Sequence, residues 1–360
     1  MSKIFQIYGT DAHTMTIKLL EAINAIELVP EGGSVALKPN LVIAGRPETG
    51  ATTHPGVLSG AIEYFQDHGV KDISVIEGSW VGDETMNAMR TAGYDRVCNK
   101  YRVSCYDLKR DKTTNVNTAI GPIAICDRAL NAGLLVDLPV LKGHGQTIMT
   151  CALKNLKGCL PDREKRHFHA LGLQKPIAAL GAALKPRLTI VDSICGDLDF
   201  EEGGNPVQTN RMYIGTDPVQ LDAYGAQLMG LSLSEVPYIG LCEQWGGGST
   251  KVEEDDIVCL NAPSDAAATT ARPTGAVARI TRNVEQNQAC SACFANLTRA
   301  LYSSGMGKNL HIRIGQGFKG QTLDGFGVGN CCLGAEMCAK GCPPTAEKII
   351  EALEDWAYTH

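Results

Sequence analysis

The chain has 360 residues, of which 44% are hydrophobic, so it can bury the cores of two or three ordinary domains. Asp and Glu outnumber Lys and Arg by 39 to 33, and the net charge of -6 excludes a nucleic-acid or anionic-membrane surface over the whole molecule. The N-terminal residues lack a signal-peptide pattern, and no apolar run approaches the roughly 20 residues that cross a bilayer. We therefore expect a cytoplasmic protein with no membrane and no nucleic-acid partner.

The first part of the chain alternates helical and strand patterns. TIKLLEAINAI (16–26), PGVLSGAIEYFQDHG (55–69) and DETMNAMRTAG (83–93) predict helices, with SVALK (34–38) and DISVIEG (72–78) as strands between them. GLLVDLPVL and LTIVDS are apolar runs typical of buried parallel strands, and NVNTAIGPIAI and VQTNRMYIGT predict hairpin additions. This order predicts an α/β fold, a doubly wound and mostly parallel sheet.

A change of composition divides the chain. Residues 261–282 include NAPSDAAATTARPTG, which is rich in Ala, Thr and Pro without periodicity and predicts a linker. Residues 1–260 would form an α/β anion-binding domain of one or two lobes. Residues 283–360 would form a smaller α/β module, in which CSACFANLTRALYSSG and PPTAEKIIEALEDWAY predict helices and LHIRIG a strand.

Polar residues follow the predicted strands. In open α/β sheets, ligands bind outside the carboxyl ends of the strands, so we expect these residues to share one rim. They are Lys38, Asn40, Glu77, Lys142, His144 and Asp192.

The segment LPVLKGHGQTIMTCALKNLKGCLPDREKRHFH (138–169) concentrates positive charge in this acidic chain. A helix beginning near Thr147 would place Thr147, Thr150, Lys154 and Lys157 on one stripe, with Asn155 beside them. The stripe predicts a carboxylate or phosphate pocket, or else an ordinary solvated face. Residues 161–169, with Arg163, Lys165, Arg166, His167 and His169, predict a polar loop that either closes over an anion or is merely solvated.

Two other polar motifs precede predicted helices. His54 stands before Pro55, and simple capping by the neighbouring threonines leaves the histidine unexplained. Asp217 stands before Pro218, a pattern typical of a structural N-cap.

Six of the 14 cysteines follow the linker. Cys290 and Cys293 form a two-spaced pair, and Cys331 and Cys342 can supply two more thiolates from loops, with Cys332 and Cys338 as alternates. Four thiolates suit a [4Fe-4S] cluster or a structural zinc ion, and plain thiols remain a further alternative. The other cysteines, including Cys151 and Cys159, are expected to be reduced, as core residues or spare thiols.

Several of these motifs together resemble a known family. ALKPNLV (36–42), VDLPVLKGHGQTIMTCALKNLKG (136–158), IVDSI (190–194) and TDPVQLDA (216–223) resemble the domain of unknown function 362 family. The resemblance implies an α/β fold and, because many members carry iron-sulfur cysteines near the C-terminus, cluster binding. GCPP followed by a helix is also similar to the last-ligand segment of small cluster-bearing subunits of NADH:quinone oxidoreductases and related hydrogenases.

These features predict an iron-sulfur oxidoreductase or electron-transfer protein acting on a small anionic substrate. Lys38, Lys142, Lys154 and Lys157 would bind the anion, His144 or His54 would donate a proton, and Glu77 or Asp192 would orient a lysine or histidine. A flavin has no sequence support, and a ferredoxin-like electron donor and a homo-oligomer remain open. The alternatives are a non-redox isomerase or lyase of a hydroxy acid, and a binding protein with a purely structural metal centre.

Overall fold

The computed structural model describes residues 2–262 and 271–359. Its strands are β1 Ile4–Tyr8, β2 Val35–Pro39, β3 Ile73–Glu77, β4 Ser104–Asp107, β5 Thr113–Thr118, β6 Gly121–Cys126, β7 Leu134–Leu138, β8 Lys142–His144, β9 Ile148–Thr150, β10 Leu188–Asp197, β11 Pro206–Gly215, β12 Ile257–Cys259, β13 Val284–Gln286, β14 Ile312–Ile314, β15 Leu323–Val328 and β16 Ala335–Ala339. Its helices are α1 Ala12–Ala22, α2 Pro55–Asp67, α3 Thr85–Thr91, α4 Tyr94–Tyr101, α5 Asp127–Leu130, α6 Ala152–Asn155, α7 Asp162–Ala170, α8 Gln174–Leu184, α9 Pro218–Leu228, α10 Pro237–Gln244, α11 Ala276–Ile280, α12 Ser291–Ser304 and α13 Ala346–Thr359.

The large sheet has eight strands in the order β12-β1-β11-β10-β7-β2-β3-β4. Every neighbouring pair is parallel except those of β11, which runs antiparallel to both β1 and β10. Hydrophobic clusters cover both faces, and all five residues of β2 and of β7 are buried. The doubly wound, mostly parallel α/β fold is therefore confirmed, and the carboxyl ends of seven strands face one edge.

The C-terminal residues form their own sheet, in the parallel order β13-β14-β15-β16. The predicted helices 290–305 and 343–358 correspond to α12 and α13, which pack on this sheet around Phe326 and Leu353. Part of the predicted linker, 263–270, lies outside the described residues. Within its described part, α11 forms a helix whose Val277 shares a hydrophobic cluster with Phe200 of the large domain and with residues of the C-terminal module.

The helix predicted after His144 is wrong. The chain instead forms an antiparallel hairpin of β8 and β9, and helical structure begins only at Ala152. The backbone of Leu198 packs closely on Gly143 of β8, where a Cβ would lie 2.1 Å from the Leu198 carbonyl oxygen. The adjacent prediction of a loop at 161–169 also needs correction, since these residues lie mainly in α7.

Two further observations concern the thiols and the membrane. Cys98 and Cys105 form a disulfide, which corrects the expectation that the cysteines outside the C-terminal module are reduced. The pair forms because the chain reverses between α4 and β4 through Arg102, whose backbone is left-handed. Within residues 2–262 and 271–359, no helix is both long and apolar enough to cross a bilayer.

Candidate functional site

A cavity of about 70 Å³ lies where the C-terminal module meets the edge of the large sheet. It combines basic, hydroxyl and apolar side chains from both parts of the molecule. Its walls are formed by Asn40, Leu41, Val42, Glu77, Gly78, Ser79, Trp80, Val81, Thr150, Lys154, Asn155, Lys157, Gly158, Lys165, His169, Glu201, Cys290, Ser291 and Ala292.

Lys157 and His169 form the basic wall of this cavity. Lys157 Nζ lies 3.2 Å from His169 Nε2, and the Ser291 hydroxyl lies 3.3 Å from the same nitrogen. The backbone N–H of Ser291 donates to the same nitrogen at 3.4 Å, and because an amide N–H can only donate, Nε2 accepts and the ring proton is assigned to Nδ1. Burial, followed by the charge of Lys154, lowers the pKa of Lys157 to about 7, and burial lowers that of His169 well below its ordinary value.

Two buried polar atoms of the cavity wall have no hydrogen-bond partner among the described residues. They are His169 Nδ1 and Thr150 Oγ1. Buried polar groups in proteins are nearly always hydrogen-bonded, and leaving one unpaired costs about 1 to 3 kcal/mol. Both side chains belong to the cavity wall, and the two atoms themselves are buried.

Glu201 organises the second group of charges. Its carboxylate accepts from Lys154 Nζ at 2.6 Å and from His144 Nε2 at 2.8 Å, and both partners are buried. Burial alone would raise the pKa of Glu201, but His144 and Lys154 hold it well below its ordinary range. Glu201 therefore stays ionised and neutralises Lys154, while burial lowers the pKa of Lys154 despite this partner.

Lys165 enters the cavity from α7. Its Nζ donates to the carbonyl oxygens of Gly78 and Ser79, each at 2.8 Å, and lies 3.8 Å from an oxygen of Asp162. Burial lowers its pKa to about 8, although Glu77 and Asp162 oppose this shift. Lys165 ties α7 to the loop after β3, so it shapes the wall as well as charging it.

Behind the cavity, Lys38 and Glu77 form a buried ion pair with an Nζ to Oε2 distance of 2.8 Å. Burial alone would lower the pKa of Lys38, but the charge of Glu77 raises it. Glu77 reaches this position because Gly158 has no side chain: a Cβ there would lie 1.8 Å from Glu77 Oε1. Asn155 continues the network by donating to Asp137 at 2.8 Å.

Several predicted site residues face elsewhere. Lys142 is fully buried and donates to the backbone oxygens of Ala51 and Glu201, with Asn40 Oδ1 at 3.4 Å. Burial lowers its pKa to about 7. These acceptors hold Lys142 as a cross-link between segments, outside the wall of the cavity.

The two histidines predicted as proton donors have structural partners. His144 Nδ1 accepts from the backbone N–H of Gln146 and Thr147, while its Nε2 donates to Glu201, so both ring nitrogens are engaged. Burial lowers the pKa of His144 to about 4. His54 Nδ1 caps α2 by accepting from Gly56, which explains this histidine as an N-cap.

The predicted rim is therefore divided. Asn40, Glu77, Thr150, Lys154, Asn155 and Lys157 line the 70 Å³ cavity. Asp192 and His54 line a separate cavity of about 160 Å³, where Asp192 Oδ2 accepts from the His54 backbone N–H at 2.8 Å. Lys38, Lys142, His144 and Thr147 lie outside the walls of both. Asp217 caps α9 as predicted.

The four cysteines chosen as ligands gather near the start of α12. Cys290 is the N-cap residue of this helix and Cys293 lies within its first turn. Burial raises the pKa of Cys293 above its ordinary range, and the thiols of Cys290, Cys342 and Cys331 raise it further. The loops that carry the last two are joined by the Asn330 N–H, which donates to the Gly341 carbonyl at 2.8 Å.

The alternates occupy a different environment. Cys332 is fully buried in a small apolar cluster with Phe318 and Leu323, against which Cys338 packs. Within the described ranges, no three His, Cys, Asp or Glu side chains are arranged to hold a single metal ion. The thiols are thus electrostatic neighbours without forming the tight group that one ion requires.

Sequence reasoning missed Glu201, Ser291 and Trp80, and placed Lys165 and His169 only among the weaker candidates. Glu201 lies in the loop after β10 and does not directly follow the strand. Ser291 follows Cys290, and this segment was interpreted only as a source of metal ligands. The one signal for Glu201 was the number of lysines in the basic segment, because buried lysines need a carboxylate partner.

The fold and this cavity define an α/β protein with a lysine- and histidine-lined cavity beside a cysteine-rich module. The chain belongs to the family described as Domain of unknown function (DUF362), whose profile matches residues 35–227. A thylakoid-associated protein of Synechocystis sp. is 26% identical over 250 residues, which cover 65% of this chain and 75% of that protein.

Two solved structures share a lower similarity. The lactate racemase apoprotein of Thermoanaerobacterium thermosaccharolyticum has 14% identity and a TM-score of 0.43, over 63% of this chain and 57% of that chain. A Thermotoga maritima protein has 12% identity and a TM-score of 0.39, over 66% and 60%. This chain thus matches less than two thirds of either one, and neither assigns it an activity.

Proposed function

We propose that this protein is an enzyme that binds a small carboxylate or phosphate in the 70 Å³ cavity, next to a [4Fe-4S] cluster held by the C-terminal module. One observation carries the proposal: Cys290 lines the same cavity as Lys157 and His169. A ligand held by these basic groups would lie directly beside a cluster thiolate.

The donor set supports a cluster in number and kind. Four thiolates around one zinc ion, each about 2.3 Å from the metal, must lie within roughly 4 Å of one another. In a [4Fe-4S] cluster each thiolate binds a different iron atom, so the sulfurs stand farther apart. Cys290, Cys293, Cys331 and Cys342 would be the ligands, and when bound the cluster would supply one electron at a time.

The residues of the chain would bind and orient the substrate. Lys157 would supply the positive charge, because Lys154 is already neutralised by Glu201 at 2.6 Å. His169, a residue of the cavity wall, would take the role predicted for His144, because both ring nitrogens of His144 are occupied. A ferredoxin-like protein would supply the electrons.

A second candidate is a non-redox isomerase or lyase of a hydroxy acid. The position of His169 in the cavity wall favours it, because an imidazole beside a bound substrate can exchange protons with it. In this reading the cluster would act as structural support or as a Lewis acid.

The test is anaerobic reconstitution of the full chain with iron and sulfide. We expect a visible absorption band, about four irons and four sulfides per chain, and bleaching by dithionite. Cys290→Ser should lose the band, whereas Cys195→Ser, a free cysteine of the large domain, should keep it.

The outcomes separate the readings. A colourless protein with one zinc per chain would contradict the cluster. A band that dithionite leaves unchanged would contradict electron transfer and favour the second candidate. Retention of the full band in Cys290→Ser would remove this residue from the ligand set, and with it the link between cluster and cavity.

A further inference from the structure

The disulfide between Cys98 and Cys105 is connected to one wall of the 70 Å³ cavity through strand β4 and Lys109. We propose that this pair is a reversible dithiol–disulfide site, and that its reduction by a dithiol loosens the cavity wall at Trp80. The inference goes beyond the proposed function, because it needs neither a bound anion nor a cluster.

The two sulfur atoms differ in accessibility, which suits stepwise thiol exchange. Cys105 lies on β4 and is half-buried, whereas Cys98 in α4 is only 5% exposed. A thiolate of the reductant would attack Cys105 Sγ and break the S–S bond, and Cys98 would leave as a thiolate and take up a proton. The second thiol of the reductant would then displace Cys105 from the mixed disulfide. The protein gains two electrons and two protons, and the reductant becomes a disulfide.

Contacts other than the disulfide also hold the turn between α4 and β4. The backbone N–H of Val103 donates to the Cys98 carbonyl at 3.0 Å. The hydroxyl of Tyr101 donates to Glu63 at 2.6 Å, and its carbonyl accepts from Gln66 at 2.9 Å, which fixes the end of α4 to α2. A disulfide with a sequence separation of 7 also restricts the unfolded chain less than one that closes a long loop. Reduction can therefore occur in the folded protein.

Strand β4 is the element that reduction would release. It lies at the edge of the large sheet, where β3 is its hydrogen-bonded neighbour within the described ranges. In this pairing Cys105 lies opposite Val75. A strand with a neighbour on one side is held by fewer hydrogen bonds than a central strand, so it gains more freedom when a covalent anchor is lost.

Lys109, in the turn directly after β4, connects this strand to the cavity wall. Its Nζ donates to the carbonyl oxygen of Asp83 at 2.6 Å and to that of Trp80. Its backbone N–H donates to Asp107 at 3.0 Å, which fixes its position relative to the end of β4. Because Trp80 lines the cavity, a displacement of β4 would reach the wall through this one lysine.

The loop that carries Trp80 has other anchors at its two ends, so the effect should be local. At its start, Lys165 donates to the carbonyl oxygens of Gly78 and Ser79, each at 2.8 Å. Near its end, Gly82 packs so closely on Pro343 that a Cβ would not fit. We therefore expect Trp80 to become more mobile while both ends of the loop stay in place.

The test is acrylamide quenching of tryptophan fluorescence on the full chain, before and after treatment with dithiothreitol. Alkylation and mass spectrometry identify the free cysteines in each state. We expect Cys98 and Cys105 to react only after reduction, with an unchanged circular dichroism spectrum. The quenching constant of Trp80 should rise about twofold as the residue becomes more mobile. Trp80→Phe isolates its signal from those of the other tryptophans, Trp245 and Trp356.

Three variants test the connection between the disulfide and the wall. Cys98→Ser combined with Cys105→Ser should show the quenching of the reduced protein and no response to dithiothreitol, so a response through other thiols would be recognised. Lys109→Met should raise the quenching of Trp80 while the disulfide remains intact. Arg110→Met is the matched control, because the Arg110 side chain is 87% exposed, and it should behave like the unaltered protein.

Three results would overturn the proposal. Alkylation of both cysteines without a reductant would show that the pair is not joined. A disulfide that dithiothreitol opens only in urea would be a fixed cross-link. Reduction that leaves Trp80 quenching unchanged, or equal quenching in Lys109→Met and Arg110→Met, would disconnect the pair from the cavity wall. Each result is distinguishable from failure of the proposed function, since neither iron content nor anion binding enters the measurement.

Discussion

Replacing Glu201 by Gln tests whether one buried carboxylate holds the charged side of the cavity together. Glu201 lies 2.6 Å from Lys154 and 2.8 Å from His144, and the side chains of Lys154 and Glu201 are only 5% and 7% exposed. The amide keeps the shape of the carboxylate but not its charge. Lys154 would then be a buried cation with no counter-charge.

The expected cost follows from this burial. Removing one partner of a buried ion pair typically destabilises a protein by about 3 to 5 kcal/mol, because the remaining charge is left uncompensated. Removing both charges costs less, since no isolated charge remains. We therefore expect Glu201→Gln to lose about 3 to 5 kcal/mol of unfolding free energy, and the double variant Glu201→Gln with Lys154→Met to recover about 2 kcal/mol of it.

Urea unfolding followed by circular dichroism measures both effects through the shift of the midpoint at an unchanged slope. Lys175→Met is the control for loss of a surface lysine. A loss below about 1 kcal/mol for Glu201→Gln would refute the reasoning, because it falls within the range of a solvent-exposed pair. A double variant less stable than Glu201→Gln alone would refute it as well.

Two other predictions concern buried groups around the cavity. Gly158→Ala would place a Cβ 1.8 Å from Glu77 Oε1 and should lower the thermal unfolding midpoint by several degrees. The control Gly240→Ala has no atom within 4 Å of the new Cβ and should leave the midpoint equal or raise it. Equal midpoints for the two variants would contradict the close approach at Gly158. The pKa of Lys142 is about 7 in the folded protein, against an ordinary value of 10.5. Between about pH 7 and pH 10.5 the unfolded chain therefore binds a proton at this lysine that the folded protein does not. Folding stability should rise with pH over this range. Lys142→Met should make that rise less steep in urea titrations at several pH values, while Lys157 and Lys165, whose pKa values are lowered to about 7 and about 8, maintain the remainder. An equally steep rise in this variant would show that Lys142 does not contribute.

The local patterns of the sequence were sufficient for much of the large domain. The helices and strands predicted between residues 16 and 93 are present, and Asp217 caps its helix as predicted. These features depend on residues a few positions apart, such as the apolar spacing of a helix face or a cap before proline. The failure at residues 147–150 shows the limit, because there the chain pairs with β8 in a hairpin, and the helical spacing of the residues does not reveal this pairing.

The amino-acid order alone determined the fold class, the family, and the presence of a basic segment and of a cysteine-rich module. Only the tertiary structure decided which of those charges are free. Glu201 neutralises Lys154 from 47 positions away, and Ser291 meets His169 across 122 positions. A lysine's role depends on whether a counter-charge lies within hydrogen-bonding distance in space, and spacing along the chain carries no record of that distance.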